Sequence, residues 1–454
     1  MRFDLYYLGG IVYIHRERWM SGVAASSCPR PPEIVQAEGR LLMLSNGLNI
    51  VLTSFVLLGT SVMTADAGMF NVAKKVMPVV SAPDDQFGRS VAIDGNIAIV
   101  GAWQFDYFGS GKTGYASVLD VATGHELARL TALDGSADDA FGIAVDLAGN
   151  IAVVGAGLDD DWGESSGSAY LFDITNGNQL YKLAASDLEA DDQFGSAVAI
   201  SGKKVLIGAP YNDESGRDSG AAYLFDASAG SQLLKLNPSD ASAGALFGSS
   251  VAIDGGLAIV GADAKNNGAG AAYLYDVDTG FQLLKLTPAD DQFEPHFGFS
   301  VSISGNRAIV GAPHGDNGLG VAYVFDSFTG AELFKLTAPD RVSRDYFGES
   351  VAIDGNLAIV GESGRDSDRG AAYVFDLTTG RNILELTAPD RELDDRFGEF
   401  VGIDGNSIVA SVRLDDDHGS ASGSVYLFTP EPSSFLLMAT VSFVFCVPRG
   451  VRTE

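Results

Sequence analysis

Two acidic clusters nearly copy one another: Leu158-Asp159-Asp160-Asp161-Trp162-Gly163 and Leu414-Asp415-Asp416-Asp417-His418-Gly419. Closely spaced carboxylates on glycine-rich segments are the hard oxygen ligands that Ca²⁺ takes. The same side chains also close turns by accepting hydrogen bonds from nearby backbone N–H groups, and both readings stay open for the two triplets. Acidic pairs recur at Asp84-Asp85, Asp138-Asp139, Asp191-Asp192 and Asp394-Asp395. Of these, Asp191, Asp192, Asp394 and Asp395 join the candidate calcium ligands. A further Asp stands at 134, 187, 240, 290, 340 and 390, and for this set turn closure is the reading adopted, since Asp is a common turn former. A second chemistry is stacking. Trp103, Phe105, Tyr107 and Phe108 place four aromatics within six residues, a platform for a sugar or another protein, with Trp162 an addition to the same surface. The competing expectation is that these rings bury themselves over a central opening.

Covalent chemistry finds no comparable constellation. His125, His296, His314 and His418 are scattered, without an HExxH pair, a nucleophile motif or a phosphate-binding glycine loop. Cys28 and Cys446 lie near the two ends, which leaves the chain between them without a disulfide framework, a thiol nucleophile or a cysteine metal site. No catalytic residue, no enzyme activity and no organic cofactor are expected; Ca²⁺ is the one cofactor considered.

The elements that must position these residues come from a repeat. A Phe-Gly pair opens seven copies, at Phe87, Phe141, Phe194, Phe247, Phe297, Phe347 and Phe397, spaced by 54, 53, 53, 50, 50 and 50 residues. Such a period means one supersecondary unit used over and over. In the sixth copy the apolar runs are Ser350–Ile353, Leu357–Val360, Ala371–Phe375 and Ile383–Leu386. Asp354-Gly355-Asn356 joins the first two as a tight hairpin, and the Asp376-to-Gly380 turn joins the last two. These are four strands of an antiparallel meander. Several runs are apolar on both faces, so each sheet needs cover on both sides, and a ring of sheets supplies it. The seventh copy stops after Ser424–Phe428 with no fourth strand, while Val76–Asp84 resembles the fourth strand at Leu333–Asp340. The expected fold is therefore an all-β, seven-bladed propeller of four-stranded antiparallel blades. The N-terminal strand completes its last blade, with Pro78 on that outermost strand, where a missing N–H is tolerated.

In such a blade the two tight turns share one face and the two long connections share the other. The acidic clusters and unusual side chains fall in the long connections, so that face is the functional expectation. The formal net charge is −30, and residues 68–430 carry 52 acids against 22 bases. That surface repels nucleic acid and anionic lipid, and no nucleic-acid partner is expected.

The repeat resembles the FG-GAP family, the unit of the integrin α-subunit propeller. Phe-Gly opens each copy, and Gly208-Ala-Pro210 and Gly311-Ala-Pro313 spell the second half of the name. Elsewhere the motif drifts, with Ser411 in the Gly position of the seventh copy. The resemblance implies extracellular recognition of proteins or glycans, often with Ca²⁺. The integrin-type calcium loop between the first two strands has shrunk here to turns such as Asp94-Gly95-Asn96, so calcium does not carry over to those positions.

The ends carry their own signals. Residues 1–42 read as a leader from a start codon placed too early, and 43–67 as a signal peptide, with Asn49–Val62 apolar and Ala65-Asp66-Ala67 a small-residue cleavage pattern. Residues 68–429 are the propeller. Residues 430–454 resemble the PEP-CTERM sorting signal of Gram-negative bacteria: Pro430-Glu431-Pro432, the mostly apolar Ser434–Val447, then Arg449 and Arg452. That resemblance implies an exosortase-type processing enzyme, transient membrane contact through the tail, and delivery to the envelope or matrix. The expectation is an exported, non-enzymatic propeller for adhesion or ligand binding. The alternatives are a lyase or hydrolase acting on extracellular polysaccharide, and a purely structural matrix protein. An enzyme would gather carboxylates and a His or Tyr around the axial channel; a binder would spread aromatics and acids over the long-loop face.

Overall fold

The computed structural model describes residues 2–8, 11–17, 72–80, 82–103, 113–289, 295–340 and 342–430. A hairpin of Arg2–Leu8 and Ile11–Glu17, with Arg2 opposite Glu17, belongs to a compact unit of its own. The signal-peptide segment 43–67 and the tail beyond Pro430 lie outside the described residues.

From Val72 onward the chain forms seven four-stranded antiparallel sheets, the blades of a β-propeller. Blade 3 is representative. Its strands Ala197–Ser201, Lys204–Ala209, Ala221–Asp226 and Ser231–Leu236 are hydrogen-bonded in chain order, from inner to outer. The two-faced apolar runs are explained by their neighbours. In the third strand of blade 2, Ala169 and Leu171 pack toward blade 3, while Tyr170 and Phe172 pack toward blade 1. Seven apolar clusters arise in this way, each shared by two consecutive blades, and the Phe of every Phe-Gly pair is buried in one of them.

The two halves of the FG-GAP motif meet across that junction. The Gly248 N–H donates to the Gly261 carbonyl in its own blade at 2.9 Å. A Cβ added to Gly208 of blade 3 would lie 2.0 Å from the Gly248 carbonyl oxygen. Gly248 itself has left-handed backbone, at φ +95°, which a residue without Cβ adopts freely. Blades therefore approach backbone to backbone, with glycine on both sides of the contact everywhere but the seam of blades 7 and 1, where Ser411 faces Gly88.

The tight turns follow the expected chemistry and add to it. Asp226 opens its turn by accepting the Ser228 N–H at 2.7 Å, and Gly230 closes it at φ +65°. On the same face the Asp of each Asp-Gly hairpin reaches sideways. Asp404 accepts the Gly95 N–H at 2.7 Å, Asp94 that of Gly149 at 2.6 Å, Asp254 that of Gly305 at 2.7 Å and Asp354 that of Gly405 at 2.8 Å, each in the next blade.

The ring closes as expected, at a different register. Val72–Val76 pairs antiparallel with Ser424–Thr429 as the outer strand of blade 7, Lys75 lying opposite Tyr426. In blade 5 the equivalent pair is Lys335 and Tyr323. The closing strand thus ends where the sequence alignment began it, and Pro78 lies just beyond the strand. Residues 77–80 form extra chain before Asp84, and matching the Ala-Pro-Asp text at its C-terminal end displaced the register. Three four-residue helical turns, Lys265–Gly268, Gly315–Gly318 and Arg365–Asp368, occupy the long connections of blades 4, 5 and 6. Among the described residues no helix is long and apolar enough to cross a membrane.

Candidate functional site on the long-loop face

A lysine stands at the centre of the acidic clusters. In blades 2, 3, 4, 5 and 7 the outer strand places Lys182, Lys235, Lys285, Lys335 and Lys75 opposite a third-strand tyrosine. In blades 2 to 5 the ammonium lies over that ring, at 5.2, 5.2, 5.6 and 5.1 Å from its centre, and the ring face attracts it. Acids of the long connections then converge on its far side. Lys182 binds Asp134 at 2.9 Å, Asp159 at 3.0 Å and also Asp161; Lys75 binds Asp390 at 3.0 Å, Asp415 at 2.5 Å and Asp417 at 2.6 Å. Blade 3 repeats the arrangement with Asp187 and Glu214 at 2.6 Å and Asn212 at 3.3 Å from Lys235. In blade 6 the lysine position is Glu385. The cation comes instead from the helical turn, as Arg365, 2.8 Å from Asp340 and 2.6 Å from Glu385.

The first and third carboxylates of both triplets therefore hold an ammonium where a metal ion would sit. Their remaining oxygens serve the local chain: Asp159 accepts the Asp161 N–H at 3.0 Å, and Asp415 accepts that of Asp417 at 3.0 Å. Asp160 accepts the Ser165 N–H at 2.7 Å, and Asp416 is exposed. As placed, this donor set does not fit Ca²⁺, which needs six to eight oxygens on itself, unless the lysine is displaced. Among the described residues no group of three acid, His or Cys side chains is arranged around a common metal position.

The acids read as turn formers and those read as pairs exchange roles. Asp134, Asp187, Asp240, Asp340 and Asp390 bind cations across the loop rather than closing turns; Asp290 lies outside the described residues. Burial would raise the carboxyls of Asp134 and Asp390, but the hydrogen bond and charge of Lys182 hold the first below the usual carboxylate range, and the Tyr426 hydroxyl and Lys75 hold the second there. The second Asp of each pair closes a turn: Asp192 accepts the Glu189 N–H at 3.1 Å and Asp395 that of Glu392 at 2.6 Å. Asp191 and Asp394 are exposed and left-handed, both at φ 70°.

The aromatic candidates divide. Trp162 is exposed on the loop of blade 2, and Phe105, Tyr107 and Phe108 lie outside the described residues. Trp103 reaches the axial mouth, a hollow of about 570 Å³ at the long-loop end of the ring. Trp103 Nε1 donates to Gln86 Oε1 at 2.9 Å, and Arg413 Nη1 donates to the same oxygen at 2.6 Å. Arg413 also grips Glu399 through both nitrogens of its fork, at 3.0 and 2.9 Å. Glu349, bonded by the Ser363 hydroxyl, is pushed up to about 7 by burial and then by Glu399. Beside the mouth His296 Nδ1 is 2.9 Å from Asp263 Oδ2, and the His296 ring is 5.1 Å from His314, itself 5.5 Å from Tyr346. Burial and the neighbouring His296 lower the His314 pKa. These two histidines are brought together, not scattered; His418 is exposed on the loop of blade 7.

Sequence reasoning passed over this mouth, although a signal exists. The residue after each Phe-Gly stands within two residues of the start of an inner strand and lines the axial hollow. Those residues are Arg89, Ile143, Ser196, Ser249, Phe299, Glu349 and Glu399, seven positions with little in common inside a near-constant repeat.

Inner strands around an axis, blades locked by facing glycines and long connections gathered at one end define a seven-bladed repeat propeller. The FG-GAP repeat matches the chain seven times, at residues 71–119, 125–172, 178–225, 231–275, 281–325, 331–375 and 382–428. The chain belongs to the FG-GAP repeat family. Each match begins in or beside an outer strand and ends in the next blade, so Val72–Val76 opens the first of the seven. No curated protein matches the chain.

Proposed function

We propose that this chain is an exported, non-enzymatic propeller of a bacterial envelope or extracellular matrix that binds a protein or glycan through its long-loop face. The observation that carries this reading is the broken symmetry of the axial mouth. Five of the seven blades build their outer clusters from the same lysine, yet around the mouth arginine, serine, phenylalanine and glutamate alternate. A volume of about 570 Å³ suits a small ligand or the end of a chain. Export rests on the apolar Asn49–Val62 and on the Pro-Glu-Pro tail at 430–432; processing by an exosortase-type enzyme and transient membrane contact follow from the same resemblance. The test is a glycan and protein array probed with the parent and with Trp103→Ala. Binding to some member by the parent, weakened in the variant, is the expected result; an array blank for both removes the reading.

A second reading has one observation in its favour. Asp263, His296, His314 and Tyr346 stand beside the mouth with Glu349 and Glu399, the carboxylate and His or Tyr gathering that a polysaccharide lyase or hydrolase requires. Release of new chain ends from a polysaccharide, abolished by His296→Ala, would favour it over simple binding.

A further inference from the structure

Arg89 differs from every other cation described above. Its guanidinium is clamped between two ring faces, 5.2 Å from the centre of Trp103 and 5.0 Å from that of Phe400. Among the described residues no acceptor lies within hydrogen-bond or ion-pair distance of it. The two nearby carboxylates are engaged elsewhere, Glu399 by Nε and Nη2 of Arg413 and Glu349 by Ser363. Burial lowers the guanidinium to about 10, so it is charged at neutral pH. A half-buried charge held in no direct ion pair is costly, and Glu399 and Glu349 attract it only through space. The two rings offset part of that cost and, among the described residues, leave the guanidinium N–H donors for a guest. Such a fork matches a carboxylate in two-point geometry.

The rest of the lining indicates what carries that carboxylate. Ser196, Ser249, Ser250, Ser300 and Ser350 stand around the hollow, but the Ser196 and Ser300 hydroxyls donate to the Gln193 and Gly348 carbonyls, those of Ser250 and Ser350 accept the Val301 and Val401 N–H, and the unpartnered Ser249 hydroxyl is buried. Phe299 presents an open ring, 39 % exposed. Carboxylates and an open aromatic face suit a polyhydroxylated guest better than a peptide end. We propose that the axial mouth binds an acidic oligosaccharide, one uronate carboxylate of which pairs with the Arg89 fork while a sugar ring lies against the open face of Phe299. This rests on the reading of the mouth as a ligand site and names the ligand class.

The experiment is calorimetric titration of the full chain with two matched panels: oligomers of galacturonate, glucuronate and mannuronate, and the same oligomers with their carboxyls reduced to alcohols. Expected are binding of an acidic oligomer and a loss of about ten-fold or more on carboxyl reduction, the worth of one charge-assisted hydrogen bond. Arg89→Gln should reproduce the loss for the acidic oligomer and leave its reduced partner unchanged. Arg89→Lys should fall between, keeping charge without the fork. Trp103→Ala provides a second route should the Arg89 variants fail to fold. Equal affinity for both panels would sink the carboxylate claim while leaving the mouth a ligand site. Silence from both panels, with a protein captured by the array, would do the same; silence in every arm overturns both.

Discussion

Lys182 is the residue on which the metal question turns. Its ammonium satisfies Asp134, Asp159 and Asp161, so the parent should melt at the same temperature in millimolar Ca²⁺ and in chelator. Lys182→Met leaves three carboxylates facing one another. It should cost about 2–3 kcal/mol, less than breaking a fully buried pair because Asp134 and Asp161 are partly in water. Calcium should then recover stability in the variant alone. A parent whose melting rises with calcium would show that the ion displaces the lysine. Glu362 supports a second, pH-dependent prediction. Burial pushes this carboxyl up to about 8 from 4.5, against the Tyr373 hydroxyl that donates to it at 2.8 Å, and its other oxygen has no partner. Between those two values the folded protein holds a proton that the unfolded chain has lost, so stability falls as pH rises. Glu362→Gln removes that slope. Melting temperatures of parent and variant should be close near pH 5 and diverge by several degrees near pH 8, the variant higher; parallel curves would mean that Glu362 titrates normally.

The element that decides the fold is the blade junction, and it was the most legible part of the chain. Phe-Gly spacing and two-faced apolar runs lead directly to face-to-face sheets, because both depend only on local residue type. Phe247→Ala removes a ring that packs 5.7 Å from Tyr273 and 6.0 Å from Tyr275. It should cost about 3–5 kcal/mol in denaturant unfolding, and a loss below 1 kcal/mol would refute the wedge role. The closing strand was legible in kind and missed in register. Ala-Pro-Asp text favoured Val76–Asp84, whereas the pairing of Lys75 with Tyr426 depends on a partner at the far end of the chain. The seam it makes is incompletely filled. Blade 1 has Ser117 and Leu119 where other blades carry an aromatic pair, and a hollow of about 280 Å³ remains beside Val76 and Pro78. Deleting residues 72–82 should open the ring and lower the melting temperature sharply; a deletion variant that melts like the parent would refute closure.

At the scale of the molecule, the excess of 52 acids over 22 bases in residues 68–430 sets the behaviour in salt. Like charge spread over one compact body opposes folding, so melting temperature should climb with sodium chloride and level off once screening is complete. A melting point indifferent to salt would mean that the lysine clusters already neutralise the field locally. What remained illegible in the sequence is how seven nearly equal blades make unequal surroundings. Asp159 and Asp415 looked like ligands because Lys182 and Lys75 are far from them in the chain, though not in space. Gln86, Arg89, Trp103, Glu399 and Arg413 become one site only when blades 7 and 1 meet.

That meeting has a temporal meaning. A ribosome delivers Val72–Val76 first and their partner Ser424–Thr429 last, so the opening strand must wait, unpaired, through the making of every other sheet. Contacts between remote stretches form slowly, and an unsatisfied strand edge invites wrong partners meanwhile. A chain that crosses a membrane as an extended thread is spared that wait on the near side. Its wheel can be assembled only after the final spoke has come through.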